Sequence, residues 1–184
     1  MIAFIILILI VVAVIAVLAV MYNGLVRSKN EVENAWSQID VQLKRRIDLV
    51  PNLVDTVKGY AAHERETLEQ VINARNAAVQ APDTPHDQAE ADNMLSGALG
   101  KLFALSEAYP DLKANQNFLA LQEELTATEG RVAYARQYYN DAVLRYNNKI
   151  ESVPTNVIAG AMKYEEREYF QADESARTVP SVEF

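Results

Sequence analysis

The sequence predicts an all-α protein in which an N-terminal transmembrane helix continues into an elongated, antiparallel helical bundle. Residues 2–21 are almost wholly apolar, the remaining apolar residues recur at helical spacing, and the 184 residues include only six Gly and six Pro. No useful length of sequence alternates as a β-strand does. We therefore expect a transmembrane helix over 1–21, a helical domain over 22–170 and an extended tail over 171–184.

The composition excludes several classes of function. A net charge of −8 argues against nucleic-acid binding, because a protein needs a basic face to displace counterions from phosphate. The absence of cysteine excludes disulfides, thiolate nucleophiles and Cys-ligated metals. The mean hydropathy is −0.09 despite the apolar N-terminus, so the rest of the chain is distinctly polar.

The N-terminal apolar segment (residues 1–21) has the length of a membrane span. At about 1.5 Å per helical residue it covers roughly 30 Å, the thickness of the hydrocarbon layer. A cleaved signal peptide is the alternative, with Val17–Ala19 as a weak cleavage site. That class has a basic n-region and a shorter apolar stretch, so a retained transmembrane helix is favoured.

The flanking charges predict an orientation. Arg27 and Lys29 follow the apolar segment, whereas the N-terminal side offers only the α-amino group. The positive-inside rule then places the N-terminus outside and the helical domain in the cytoplasm. Glu31 and Glu33 lie nearby and make the bias small.

The first predicted helix runs on beyond the membrane, because Gly24 is the only Gly or Pro between Tyr22 and Val50. Pro51 falls inside the pattern, and proline kinks or ends a helix. A kinked helix that continues to about Gln80 is favoured, and a break at Pro51 is the alternative. The apolar residues that define its face are Trp36, Ile39, Leu43, Val50, Val54, Val57, Leu68, Val71 and Ile72.

A second helix is predicted between two proline-containing stops. Ala81–Pro85 cannot lie inside a helix, so Asp87 opens the second helix, which reaches about Glu107. Tyr109–Asp111 ends it. Its predicted apolar side consists of Met94, Leu95, Leu99, Leu102 and Leu105.

The third predicted helix is the longest after the first and runs from about Asn115 to Glu151, where Ser152–Pro154 ends it. A short helical segment over Asn156–Glu166 and a tail that is extended and docked, or disordered, complete the chain. The third helix has an apolar stripe close to the heptad of a coiled coil, formed by Phe118, Leu121, Leu125, Val132, Ala135, Tyr139, Val143, Tyr146 and Ile150.

The groups needed for catalysis are scarce, so we predict no catalytic, cofactor-binding or metal-binding residue. A di-iron bundle needs Glu-x-x-His motifs, but Tyr60 and Asp83 stand three residues before His63 and His86. The basic run Lys44–Arg46 is expected to pair with carboxylates across the bundle rather than with lipid headgroups. The third-helix residues that suit such pairing are Glu124, Glu129, Arg131 and Arg136.

Several sequence blocks, in order along the chain, match a known family. They are Tyr22–Val26, Ala35–Arg46, Asp48–Val54, Val57–Tyr60, Glu107–Asn115, Ala135–Asn140, Tyr146–Asn147 and Pro180–Phe184. From the apolar segment to the tail, the chain resembles the LemA family of bacterial membrane proteins. The resemblance implies a bacterial inner-membrane protein with an outside N-terminus, a cytoplasmic bundle and no enzymatic activity.

The resemblance also directs attention to recurrent polar positions, for which we expect structural roles: Arg46, Asp48, Pro51, Asn52, Asn140 and Asn147. Together with apolar positions on the predicted faces and the C-terminal residue, the candidate interface or structural residues are Trp36, Leu43, Arg46, Asp48, Pro51, Asn52, Tyr139, Asn140, Tyr146, Asn147 and Phe184.

Two functions remain open for a non-enzymatic chain of this kind. The first is a membrane scaffold that self-associates as a homo-oligomer through apolar stripes which the short second helix does not cover. The second is an adaptor for a membrane-bound protease or an envelope-stress complex, since some LemA relatives are associated with a membrane metalloprotease. The C-terminal Ser181–Phe184 could be captured by a peptide receptor or docked on its own bundle.

Overall fold

A computed structural model describes residues 1–61 and 63–170 of the chain, and these residues form helices and turns without a β-strand. The all-α fold class is confirmed. The predicted tail over 171–184 lies outside the described residues. The helices are α1 (Ile2–Lys58), α2 (Arg65–Gln80), α3 (Pro85–Ser106), α4 (Pro110–Lys113), α5 (Gln116–Glu151) and α6 (Thr155–Ala161).

The chain divides into two units. The first unit contains Met1–Ser37 and Gln137–Glu168. The second contains Gln38–Arg136, with Tyr169 and Phe170 at its described C-terminal end. Residues of α1 and α5 therefore belong to both units.

Helix α1 confirms the favoured continuation through Pro51 and corrects the predicted end of the helix. The helix passes through Pro51 without a break and ends at Lys58, well before Gln80. The exposed ring of Pro51 lies on the solvent side of the helix, where the lost backbone hydrogen bond can be replaced by water. A turn follows Lys58, and the Asn115 side chain donates a 2.8 Å hydrogen bond to the hydroxyl of Tyr60 within it.

The N-terminal part of α1 has no packing partner within the chain. Every residue from Met1 to Val20 is exposed, Met21 is partly buried, and Leu25 is the first fully buried residue. By length and composition alone, this part of α1 is suited to cross a membrane.

In the first unit, α1 and α5 pack in antiparallel directions. The rings of Trp36 and Tyr139 lie 5.4 Å apart between centroids. Further along, the Lys149 ammonium donates hydrogen bonds to the Gly24 carbonyl at 2.9 Å and to the Ser28 hydroxyl at 3.0 Å. Residue numbers thus fall on α1 as they rise on α5.

In the second unit, α1, α2, α3 and α5 share an apolar core that includes Val50, Leu53, Val71, Leu99 and Phe118. The predicted face of α3 needs one correction, because Met94 is 52% exposed while Leu95 and Leu102 are buried. Position 94 lies one residue before the buried row and is rotated about 100° away from it.

The predicted stripe of α5 is confirmed, since all its members except the partly buried Leu121 are buried. Helix α5 runs over Gln116–Glu151, within one residue of the prediction. The short helix after it is α6, which covers Thr155–Ala161 and stops before the predicted Glu166. The stripe on which self-association was predicted is therefore covered within the chain itself.

Replacing Pro51 by Ala should stabilise α1. The alanine restores a backbone N–H inside the helix, so we expect the free energy of unfolding to rise by about 1–3 kcal/mol. Chemical denaturation in mild detergent measures it, with the exposed neighbour Asn52→Ala as the control. An unchanged or lowered value for Pro51→Ala would show that the proline ring contributes packing that outweighs the lost bond.

Candidate functional site

Among the described residues of the second unit, Arg46 is the most deeply buried charge, with a side chain only 3% exposed. Its Nη1 donates a 2.6 Å hydrogen bond to Oδ1 of Asp92 on α3, a carboxylate that is 8% exposed. Its Nη2 lies 3.8 Å from Oε2 of the exposed Glu129 on α5. One guanidinium therefore connects three helices of the unit.

Burial and neighbouring charge have opposite effects on the Asp92 carboxyl of this pair. Burial raises the pKa of Asp92 above its ordinary value, while the positive charges of Arg46 and Arg136 act to lower it. Removing two charges from water is costly, and a direct hydrogen bond offsets much of that cost. The pair is best understood as a device that fixes how α1 and α3 align.

A second set of ion pairs lies on the surface beside it. Arg45 contacts the Glu124 carboxylate at 2.6 Å, and Arg131 contacts the same carboxylate at 3.3 Å. The predicted pairing of the basic run with α5 carboxylates is confirmed by Arg45–Glu124 and Arg46–Glu129. Arg136 differs, because its guanidinium lies over the ring of Phe170 at 5.8 Å from the centroid.

Sequence reasoning missed Asp92. The signal was present, because Asp92 lies three residues before Leu95 and so falls on the buried row of α3. A carboxylate on an apolar face is uncommon unless it is paired. A paired carboxylate at position 92 requires a cation from another helix, and Lys44–Arg46 is the basic run that α1 offers.

Three side chains of α5 in the first unit hold the chain that follows α6. We call Tyr139, Tyr146 and Asn147 the α5 clasp. Asn147 makes two hydrogen bonds of 2.9 Å to the backbone of Arg167, accepting from its N–H and donating to its carbonyl. The hydroxyl of Tyr146 donates to the Glu165 carbonyl at 3.0 Å.

The third clasp member, Tyr139, donates to the Glu168 carbonyl at 2.9 Å. Positions 146 and 147 lie seven and eight residues after position 139, which places all three on one side of a helix. Burial raises the pKa of Tyr139 to about 12, and it also raises the pKa of Tyr146. Both phenols are therefore neutral donors at physiological pH, suited to holding a backbone in place.

The clasp binds only backbone atoms of residues 165–168, so it places little constraint on which side chains these residues carry. A neutral amide that pairs with both groups of one residue reproduces the hydrogen bonding of a β-ladder. The clasp thereby holds a segment that lies outside the helices. The segment also carries an ion pair, since Arg167 lies 3.7 Å from Glu33 of α1.

The other predicted residues lie at different depths in the structure. Trp36 is partly buried against Tyr139, Leu43 is buried, and Asn140 is partly buried. Three candidates near the predicted kink are exposed on α1: Asp48, Pro51 and Asn52. Phe184 lies outside the described residues. The functional importance of these positions stays a prediction.

The described residues 1–61 and 63–170 contain no group of three or more His, Asp or Glu side chains placed to hold a metal ion. His63 and His86 are both exposed. An open cleft of about 340 Å³ lies beside the clasp, lined by Lys29, Tyr146 and residues 162–167. Its charges are of both signs and several side chains already engage backbone or ion-pair partners.

The fold and these contacts define an all-α protein with a potential membrane-spanning helix, whose buried polar groups hold helices and an extended segment together. The LemA family model matches residues 35–184, and the chain belongs to the LemA family. Protein LemA of Metamycoplasma hominis is 30% identical over 155 residues, covering 84% of this chain and 71% of that protein.

Two magnetosome proteins are also similar to the chain. Magnetosome protein MamQ 2 of Paramagnetospirillum magneticum is 28% identical, covering 82% of this chain and 64% of the relative. Magnetosome protein MamQ of Magnetospirillum gryphiswaldense is 25% identical, covering 81% of this chain and 64% of the relative. The chain thus spans less than two thirds of these magnetosome proteins.

Breaking the buried ion pair should destabilise the protein far more than breaking the surface pair beside it. Arg46→Met leaves Asp92 buried without its partner, so we expect a loss of about 3–5 kcal/mol in the free energy of unfolding. Arg45→Met, the matched control, should cost less than about 1 kcal/mol because its pair with Glu124 is solvated. Chemical denaturation measures both, and equal losses would contradict the distinction.

The buried ion pair also predicts that a second substitution recovers stability. Replacing both partners, as Arg46→Met with Asp92→Leu, removes the two charges together and should recover part of the stability lost in Arg46→Met alone. A double variant that is less stable than either single variant would show that the pair does more than balance charge.

Removing the central clasp residue should release the segment it holds. Asn147→Ala deletes both hydrogen bonds to Arg167, so we expect local opening of 165–168 to become easier by about 1–3 kcal/mol. Hydrogen exchange of the Arg167 amide reports it directly. The adjacent exposed residue provides the control, Asn148→Ala, which should leave that exchange unchanged. Unaltered protection in Asn147→Ala would mean that the segment is held by other contacts.

Proposed function

We propose that this chain is a non-enzymatic, membrane-anchored structural protein whose helical domain self-associates as a scaffold. The observation that carries the proposal is the continuity of α1, which runs over Ile2–Lys58 without interruption. Its exposed apolar part needs lipid, and its later part is built into the protein core. A single helix therefore connects the apolar segment to core residues with no loop between them.

A structural role is supported by how the buried polar groups are used. Arg46 and Asp92 engage each other, and the α5 clasp engages backbone atoms. Such contacts hold a shape and offer no convergent acid, base and nucleophile. The relatives described above, Protein LemA and the magnetosome proteins, are not named as enzymes, which is in keeping with this role.

We place the protein in the bacterial inner membrane with the N-terminus outside and the helical domain in the cytoplasm. Arg27 is exposed and Lys29 partly exposed just beyond the apolar segment, which favours a cytoplasmic side for them. Because the chain lacks cysteine, a single Val79→Cys variant tests the orientation. A membrane-impermeant maleimide should label this cysteine only after the cells are lysed. Labelling of intact spheroplasts, in which the reagent reaches only the outer face of the membrane, would show that the helical domain lies outside.

Self-association must use surfaces other than the buried stripes. In the second unit, Val41 on α1 is 60% exposed and Tyr134 on α5 is 74% exposed. A membrane holds copies in one plane and in one orientation, which raises the effective concentration of such side chains. We assign these two residues to the contact between copies.

The test is the particle mass of the full-length protein in mild detergent, measured by light scattering after size exclusion. We expect a discrete multiple of the 20.5 kDa chain, lowered by Val41→Glu with Tyr134→Glu. Val79→Glu is the matched control, because Val79 is 54% exposed on α2 and should leave the mass unchanged. A wild-type mass of one chain would overturn self-association.

The adaptor function is the competing outcome of the same measurement. A particle whose extra mass is a different protein, such as a membrane protease or an envelope-stress protein, would replace the scaffold by the adaptor. Mass spectrometry of that particle would identify the partner, and deletion of 182–184 would test whether the C-terminus with Phe184 is the part that is bound.

A further inference from the structure

The corner between α5 and α6 presents unusually exposed apolar side chains. Val153 is 82% exposed, a fraction exceeded among the exposed large apolar residues of the described chain only by Met1. Val157, at the start of α6, is 72% exposed. We call Ser152–Val157 the α5–α6 corner. Two such valines in one short corner favour contact with an apolar phase.

The corner lies level with the end of the apolar segment. Lys149 ties α5 to α1 through hydrogen bonds to Gly24 and Ser28. Because the two helices are antiparallel, the end of α5 from Lys149 to Glu151 runs toward Met21, and Val153 follows two residues beyond that end. The exposure of α1 agrees with this placement, since all residues before Met21 are exposed and Met21 is partly buried.

From this placement we propose that the α5–α6 corner inserts Val153 and Val157 into the interfacial layer of the same bilayer that the apolar segment crosses. The inference rests on the proposed membrane anchoring and adds a second, peripheral contact to it. Lipid is the occupant because Lys149 ties the end of α5 to Gly24, three residues after an apolar segment that itself needs lipid. The first unit would then touch the membrane at two points, which restricts its tilt.

The charges around the corner indicate whether it contacts lipid through apolar side chains or through anionic headgroups. Glu151 and Glu166 are exposed nearby, and the Lys149 ammonium is occupied by Gly24 and Ser28. A hydrogen bond to Glu166 raises the pKa of Glu151, so the two carboxyls face each other. The corner itself, Ser152–Val157, contains no Lys or Arg that could attract anionic headgroups. Insertion should therefore depend on apolar contact and should not require anionic lipid.

Single cysteines test the insertion in the full-length chain, since there is no native cysteine to remove. Val153→Cys and Val157→Cys are labelled with a polarity-sensitive fluorophore and reconstituted in phosphatidylcholine vesicles. Val11→Cys, within the apolar segment, is the positive control, and Val79→Cys on α2 is the negative control. Circular dichroism of each labelled variant verifies that it is folded.

We expect blue-shifted emission at positions 11, 153 and 157, and quenching by a spin label on the lipid acyl chain. Quenching at 153 should be strongest with the label close to the headgroup, and position 79 should show neither effect. Adding anionic lipid should leave the signals unchanged; a signal that requires anionic lipid would overturn the apolar mode of binding.

The outcomes separate this inference from the proposed function. A water-like signal at 153 and 157, with position 11 in lipid, overturns the insertion and leaves the anchoring intact. A water-like signal at position 11 overturns the anchoring itself. Blue-shifted emission at 153 without quenching by lipid means that protein covers the corner, which also overturns the insertion.

Discussion

Helix α1 has to satisfy two different environments along one uninterrupted backbone, and the rest of the structure depends on that constraint. Its residues up to Val20 expose apolar side chains all round, whereas from Leu25 onward one face is apolar and must be covered by protein. Helix α5 covers that face in the first unit, and α2, α3 and α5 share the core with it in the second. The hydrophobic effect acts on both parts, since protein covers the apolar face from Leu25 onward, while the exposed apolar residues up to Val20 have the length and composition of a membrane span.

Polar groups then decide how the helices align. Apolar stripes are tolerant of small shifts, since many arrangements bury similar areas. The Arg46–Asp92 pair and the α5 clasp are less tolerant, because a displaced partner leaves a buried charge or amide unsatisfied. This accounts for polar residues in the interior of a protein with little evident chemistry. It does not extend to Asp48 and Asn52, whose side chains are exposed and for which the structure offers no explanation.

Much of the fold was predictable because its signals are local. The stops at Ala81–Pro85, Tyr109–Asp111 and Ser152–Pro154 contain prolines, which disfavour helix interiors, although the single Pro51 is accommodated on the exposed side of α1. The stripe of α5 was predictable for the same reason, as its period repeats within one element. At the candidate site, the basic run and the apolar stripe singled out Arg46 and Tyr146, and the family resemblance singled out Asn147, but neither identified what these residues contact.

The sequence by itself determined the all-α class, the apolar segment suited to a membrane, the ends of α3 and α5, and membership of the LemA family. Only the tertiary structure decided that α1 passes Pro51 and ends at Lys58, because contacts such as Asn115–Tyr60 come from distant parts of the chain. The partners of Arg46 and Asn147 were decided in the same way. A hydrogen bond between residues far apart in sequence depends on how helices pack, and packing has no counterpart in local residue spacing.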